Sequence, residues 1–517
     1  MAAEPPGVSE MKRLLAIVVK GGVAFVVLLI VAVATRRYWV PEKFAVNVPV
    51  RSLTGSAPAA DQGALPPLTL PKGFTLTRFA TGLANARFLR VTPNGDVVVS
   101  QPRQGTVTLL FTDANGDGVA DGSSTLLSGL DRPHGLALHD GYLYVAEMTA
   151  VGRIRFDASS RKSSGEFERV ITGLPSGGNH WTRTIGFGPD GFLYVSVGSS
   201  CNVCLEEDPR RAAISRYDPS SWKGAIYARG LRNSVGFAWR ATPQGESELI
   251  ATDNGRDLLG NNFPPCELNL VVEGGFYGWP FANGDRIKDP DFGAGHEAEI
   301  ASSVAPIHKF AAHNAPLGIS FLESPGTPPE YRGAALVALH GSWNRTSKDG
   351  YKVVSLHWNA DGTISQRDFL TGFLKDENVT GRPVDIAQAM DGTIYISDDY
   401  DGSIYRVVPG ENAVSGGVQP ASAPSPASIP PPPPEDPLAL KRGARVWEVN
   451  QCALCHDPAL IGQNPVKTAK ILQSLPSRYT IDRMVVYLRA PQPPMPLFEM
   501  SDAERLDLAA YLLNRFR

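Results

Sequence analysis

The sequence predicts an all-β six-bladed propeller joined to a small all-α domain, with a transmembrane helix ahead of both. One hairpin pattern recurs six times between residues 71 and 409. A proline-rich stretch ends that pattern, and the spacing beyond it becomes helical. An apolar run bounded by basic residues stands near the first residue.

The apolar run comes first. After Lys12 and Arg13, Leu14–Ala34 is apolar apart from Lys20, and Arg36-Arg37 close it. About 20 apolar residues cross a bilayer. Basic residues at both ends give no clear orientation by charge. Ala32-Val33-Ala34 also reads as a small-residue cleavage site of a secretory signal. The length of the run favours a retained anchor over residues 1–36, followed by a Pro/Ala/Ser-rich tether over 37–70. Either way the remainder is exported, which places the folded domains at a bacterial inner membrane, facing the periplasm. A chain of 517 residues exceeds one ordinary core. The net charge of −3, with no basic patch interleaved with aromatics, excludes nucleic acid as an expected partner.

The repeats come next. The copies are FLRVTPNGDVVVS from Phe88, HGLALHDGYLYVAE from His134 and TIGFGPDGFLYVSVG from Thr184. Looser copies begin at Gly236, Leu317 and Val384. Each sets a turn such as P-N-G, H-D-G or M-D-G between apolar, β-branched runs, which is hairpin chemistry. Six copies about 45–80 residues apart describe one unit repeated, and this predicts a propeller over residues 71–409.

Residues 410–436 contain VSGGVQPASAPSPASIPPPPPED, which cannot bury a core and stiffens toward polyproline II, so they form a linker. In residues 437–517, apolar i, i+3/i+4 spacing predicts helices over 438–450, 481–490 and 502–516. Ser501 and Glu504 form a capping box before the last helix. Cys452-Ala453-Leu454-Cys455-His456 has the C-x-x-C-H spacing that attaches haem through two thioethers and one imidazole. Zinc would need a second ligand pair, and this domain has no other Cys or His. Among the candidate sixth ligands, Met495 sits in a rigid Pro-Pro-Met-Pro loop, and a soft sulfur suits electron transfer. Met500 fits packing better. The domain resembles the small monohaem cytochromes c of bacterial electron-transfer chains in CxxCH, this methionine loop and a final amphipathic helix.

Two further motifs stand inside the propeller. Asp113, Asn115, Asp117 and Asp121 fall in D-x-N-x-D-G-x-x-D, which is calcium-loop spacing and equally an Asx-rich turn. Cys201 and Cys204 bracket two residues of a loop, and an oxidising compartment favours a disulfide between them over free thiols or exchange with Cys266.

Residues Leu70–Val408 resemble the soluble pyrroloquinoline quinone (PQQ)-dependent glucose, aldose and sorbosone dehydrogenases. The resemblance rests on Arg229–Phe237 (R-G-L-R-N-S-V-G-F), on Glu267-Leu268-Asn269 and on Gly274–Pro280 (G-G-F-Y-G-W-P). It implies that His180 is the general base that removes the hydroxyl proton as hydride passes to the quinone. Arg232 would polarise the quinone carbonyl. Asn233 would hydrogen-bond the cofactor, and the carbonyls of Gly255 and Arg256 would hold Ca²⁺ beside it. Arg382 matches a PQQ-carboxylate arginine. Arg345, next to Asn344, falls near a basic cofactor contact, and His313 lies on an active-site loop. Asn179 stands where glucose-oxidising members carry an acid. Gly198-Ser199-Ser200-Cys201 replaces an acidic turn, and Cys266 replaces an acid beside Glu267. These departures lean toward the sorbosone-type branch.

The resemblance implies a membrane-anchored quinohaemoprotein dehydrogenase with PQQ, haem c and Ca²⁺ as cofactors. It would oxidise a sugar, aldehyde or alcohol and pass electrons to a respiratory acceptor. The alternative is a propeller that binds a partner or glycan beside a cytochrome that acts alone, because a propeller fold does not fix function.

Overall fold

The computed structural model describes residues 41–49, 65–410, 437–450, 452–456, 472, 475, 481–489, 500 and 502–516. The apolar run Leu14–Ala34, most of the linker, Met495 and Ser501 lie outside these residues, as does the side chain of Cys455. Among the described residues no helix is long and apolar enough to cross a membrane.

Six four-stranded antiparallel sheets form the blades. In every blade the repeated sequence builds the first hairpin. The hairpins pair Leu89–Val91 with Val97–Gln101, Leu136–His139 with Tyr142–Ala146, and Arg183–Phe187 with Leu193–Val197 in blades one to three. Blades four to six pair Phe237–Ala241 with Ser247–Asp253, Pro316–Phe321 with Ala335–Leu339, and Pro383–Gln388 with Ile394–Asp398. The second strands VVVSQ, LYVSV, ALVAL and IYISD are buried at every residue. Both faces of such a strand pack against neighbouring blades, so the sequence shows apolar runs there rather than strict alternation. The hairpin turns need positive φ, and Gly95 and Gly392 supply it at 84° and 94°.

The first strand of each blade packs against those of adjacent blades around the ring. Side chains tie one blade to the next through backbone carbonyls on the inner strands. Ser100 Oγ donates to His134 O at 2.7 Å, Thr252 Oγ1 to Leu317 O at 2.8 Å, and Ser397 Oγ to Arg87 O at 2.5 Å. The circle closes through Phe74–Ala80, which pairs with Ser403–Pro409 as the outer strand of blade six. Blade four carries an insertion between its third and fourth strands, holding a short hairpin and the helix Glu297–Ser302. That insertion accounts for the widest spacing between copies.

The C-terminal unit has helices Pro437–Val449, Ala453–His456, Ile481–Arg489 and Asp502–Arg515. The three longer ones match the predicted spans to within a residue. Pro437–Val449 packs against Asp502–Arg515 at Gly443, where a Cβ would stand 2.1 Å from Asp507 O, so only glycine allows the approach. Arg442 clasps Asp507 with bonds of 2.7 and 2.9 Å. Trp447, Met484, Leu488, Leu508 and Leu512 build its core, and Cys452 is buried among them.

Candidate active site at the propeller axis

The starts of the first strands and the ends of the second strands meet at one end of the ring. They enclose a cavity of about 460 Å³. Arg87, Val235, Leu317 and Arg382 reach it from positions at or just before first strands; Asn254, His340 and Asp399 reach it from just beyond second strands. His180, Trp181 and Asn233 complete the part of the wall that bears chemistry.

Local chain geometry fixes His180. Gly178 adopts φ 77°, and a Cβ there would meet Ser200 O at 2.4 Å. A Cβ at Gly198 would fall 2.4 Å from Asn233 Oδ1 and 2.7 Å from His180 Cβ, so the glycine lets these two side chains share the wall. His180 Nδ1 lies 2.9 Å from Ser199 O and 3.0 Å from Ser199 Oγ. Ser199 Oγ donates its own proton to Cys201 O at 2.7 Å, so both groups accept from Nδ1–H. This tautomer leaves Nε2 as a bare acceptor. Burial, and then the nearby Arg232 charge, push the His180 pKa down to about 3, so the ring is neutral at ordinary pH.

Opposite it runs a buried network. Arg87 Nη1 donates to Asp399 Oδ2 at 2.8 Å, and His340 Nε2 donates to Asp399 Oδ1 at 2.9 Å. Arg382 Nη2 donates to His340 Nδ1 at 2.9 Å, which fixes the His340 tautomer. Burial, then Arg382, lower the His340 pKa to about 4. Burial opposes the Asp399 carboxylate, but His340, Arg87 and Arg382 outweigh it and hold it well below the usual carboxylate range. The wall carries four arginines, Arg87, Arg103, Arg132 and Arg382, against the single carboxylate of Asp399. Trp181 lies 5.9 Å from the Arg87 guanidinium and 5.8 Å from that of Arg132. Asn254 Oδ1 is buried with no hydrogen-bond partner.

The structure thus brings His180, Asn233 and Arg382 to one cavity and places the other residues suggested by the resemblance elsewhere. Arg232 is buried and absent from the wall. It donates to Asn202 O at 2.9 Å, Asn202 Oδ1 at 3.0 Å, and Asn254 O and Gly255 O at 3.0 Å each. The Gly255 carbonyl therefore faces a guanidinium, and the Arg256 side chain forms a buried ion pair with Asp289 at 2.7 Å and a second pair with the exposed Asp291 at 2.9 Å. Arg345 braces Asn261 O at 2.7 Å and Ala312 O at 3.2 Å, outside the wall. His313 joins Gly260 O at 2.8 Å and Asp257 at 3.3 Å, also outside it. In each case a long polar side chain finds loop carbonyls or a carboxylate nearby and satisfies its donors there.

The Asp113 loop is likewise built without convergent ligands. Asp113 Oδ1 accepts from the N–H groups of Gly116 and Asp117 at 2.7 and 3.0 Å, and Oδ2 accepts from Gly118 at 2.8 Å. Asp113, Asp117 and Asp121 do not gather within 4.8 Å of one another. Local side-chain-to-backbone bonds shape this segment as an Asx turn. Cys201 and Cys204 form the expected disulfide.

Sequence reading missed Arg87, Trp181, Asn254, His340 and Asp399. A signal existed: Arg87 directly precedes one repeated copy, and His340 and Asp399 stand at the ends of two others.

In the C-terminal unit, Cys452 and His456 lie on one turn, with the His456 N–H donating to Cys452 O at 3.2 Å. The His456 ring centroid lies 6.2 Å from that of Trp447.

The fold and site together define a six-bladed propeller whose cavity is lined by four arginines and a neutral histidine. The TrAA12-like family model matches residues 68–265 and 288–409, more than half of the chain, and the chain belongs to that family. A PQQ-dependent pyranose dehydrogenase of Coprinopsis cinerea is 25% identical over 409 residues, covering 66% of this chain and 54% of that protein. The chain thus spans about half the length of that relative. An uncharacterised protein of Borreliella burgdorferi is 33% identical over 298 residues, covering 55% of this chain and 77% of that one. The calcium structure of the Trichoderma reesei carbohydrate-active enzyme of family AA12 superposes with a TM-score of 0.58 at 22% identity. It covers 68% of this chain and 99% of that one, which shows the shared fold.

Proposed function

We propose that this chain is a membrane-tethered quinohaemoprotein dehydrogenase: PQQ occupies the axial cavity, and a pyranose or related aldehyde or alcohol is oxidised beside it. Electrons then leave through haem c to a respiratory acceptor in the periplasm. The supporting observation is the neutral His180, with Nε2 bare, facing a cationic cavity in a TrAA12-like propeller.

The residues fit the cofactor. PQQ carries three carboxylates, and arginine is the side chain suited to them. Arg87 and Arg382 would hold them from the inner wall, with Arg132 and Arg103 further out. Asn254 Oδ1, buried without a partner, is placed to accept a ring N–H. Bound, PQQ supplies a two-electron acceptor. His180 Nε2 takes the substrate hydroxyl proton, and Ser199 keeps that nitrogen bare by accepting from Nδ1. Trp181 and Trp343 give apolar surface against which a pyranose ring can lie and exclude water. Arg232 acts on His180 through its field rather than by touching the wall. A Ca²⁺ on the Gly255 and Arg256 carbonyls would have to take the Gly255 oxygen from Arg232. Cys452 and Cys455 would attach the haem, with His456 and Met495 on its iron.

The direct test is titration of the purified chain with PQQ, followed by tryptophan fluorescence, with and without Ca²⁺. Saturable binding that enables pyranose-dependent reduction of a soluble dye supports the proposal. No binding under either condition favours the partner-binding propeller.

A further inference from the structure

The segment just after the predicted anchor is fastened to the rim of the axial cavity. Gly341 and Trp343, which line the cavity, open the loop that receives it. Asn344, fully buried, gives its whole amide to this junction: Nδ2 donates to Ala45 O at 2.7 Å and to Lys43 O at 3.3 Å, and Oδ1 accepts from Leu258 N–H at 2.8 Å. Asn47 N–H donates to Trp343 O at 2.8 Å, and Lys348 Nζ donates to Asn47 Oδ1 at 2.7 Å. A buried amide with both ends satisfied specifies position closely.

Four apolar side chains are exposed around this junction, beside the half-exposed Glu377 carboxylate that accepts from Asn47 Nδ2 at 2.9 Å and pairs with Lys348 at 3.6 Å. Phe44 is 53% exposed, Val46 54%, Trp343 40% and Leu258 37%, each within one residue of a group bonded to the Asn344 amide or the Trp343 carbonyl. Lys43 lies over the Phe44 ring at 5.0 Å. Exposed apolar side chains grouped with a cation are the composition of a membrane-contacting surface. Only six residues separate Ala34, the end of the apolar run, from Pro41, and the seven steps between them span at most about 25 Å. A propeller of this size has a radius of gyration of about 20 Å, so the tether holds the bilayer to the side of the molecule where Pro41 lies.

We propose that this rim is a lipid-facing surface, so that the mouth of the axial cavity opens toward the bilayer from which the anchor emerges. The proposal rests on the membrane tethering proposed above. The partner is a phospholipid surface, contacted by Phe44, Val46, Trp343 and Leu258, with Lys43 facing anionic headgroups.

The test uses the full chain in nanodiscs of phosphatidylcholine and phosphatidylglycerol doped with nickel-chelating lipid. Nitroxides are attached in Leu258→Cys and, on the opposite face, in Gln244→Cys, a turn between the first two strands of blade four. The expected result is a several-fold greater nickel-dependent relaxation enhancement at position 258 than at 244, diminished in Phe44→Ser/Val46→Ser. Equal or reversed enhancement in chains that do enter nanodiscs overturns the orientation while leaving the tether intact. Failure to enter nanodiscs overturns the tether and the orientation together. A nanodisc holding two chains, with position 258 shielded from nickel, assigns the rim to a second copy and likewise overturns the lipid assignment.

Discussion

Replacing Asp399 by Asn tests the polar wall of the cavity. The Asp399 carboxylate accepts from Arg87 at 2.8 Å and from His340 at 2.9 Å, and no side chain of the three is more than 12% exposed. Removing one partner of a buried ion pair costs about 3–5 kcal/mol, because the other charge stays buried without compensation. Asparagine keeps the shape and one acceptor, so the lower end, about 3 kcal/mol, is expected. With an unfolding entropy of about 2.1 cal/mol/K per residue, a propeller of this length should lose about 4 °C of melting temperature. Thermal unfolding followed by circular dichroism of the purified chain reads this directly. Adding Arg87→Met removes the stranded cation and should recover part of the loss, giving a non-additive cycle. A fall below about 1 °C, or strict additivity of the two changes, would refute the view that Asp399 neutralises the wall.

His180→Ala should abolish turnover while PQQ still binds; retained turnover removes His180 as the base. The pH dependence follows from the depressed His180 pKa of about 3. The folded protein holds this ring neutral, so the associated stability is complete above the unfolded value of about 6.5 and is lost as pH falls from there toward 3. The acid limb of kcat/KM should therefore lie well below 6.5, and a limb at 6.5 would contradict the buried, neutral ring. Arg382→Met removes a charge-assisted contact of about 1.5–3 kcal/mol and should weaken PQQ binding by about 10- to 150-fold in a fluorescence titration. Met495→Ala should abolish the Met–haem absorption band, and an unchanged spectrum would remove Met495 as ligand.

The propeller was legible because its six copies carry their own turns, and turn chemistry with β-branched runs is a local signal. The helix spans of the C-terminal unit were legible for the same reason: apolar spacing and the Pro-rich boundary are written in adjacent residues. The cavity wall was only partly legible. Arg87 and Asp399 lie 312 positions apart and meet only because Phe74–Ala80 closes the ring on blade six. His180 was found by resemblance, and the structure adds why it is neutral: the Ser199 carbonyl and hydroxyl sit under Nδ1. Arg232, Arg345 and His313 were placed at the site by position in the chain, but position does not reveal where a long side chain finds its acceptors. The Asp113 loop carries spacing shared by calcium loops and Asx turns, and the structure shows the turn: backbone donors close on both oxygens of its first carboxylate.

The central claim is one relay from sugar to quinone to haem within a single chain. The most direct measurement is anaerobic stopped-flow absorbance of the full chain, loaded with PQQ and haem, mixed with a series of pyranoses, aldehydes and alcohols. The account predicts haem reduction that requires both substrate and PQQ and is lost in His180→Ala. Haem that stays oxidised with every substrate, or that is reduced equally without PQQ, would contradict it.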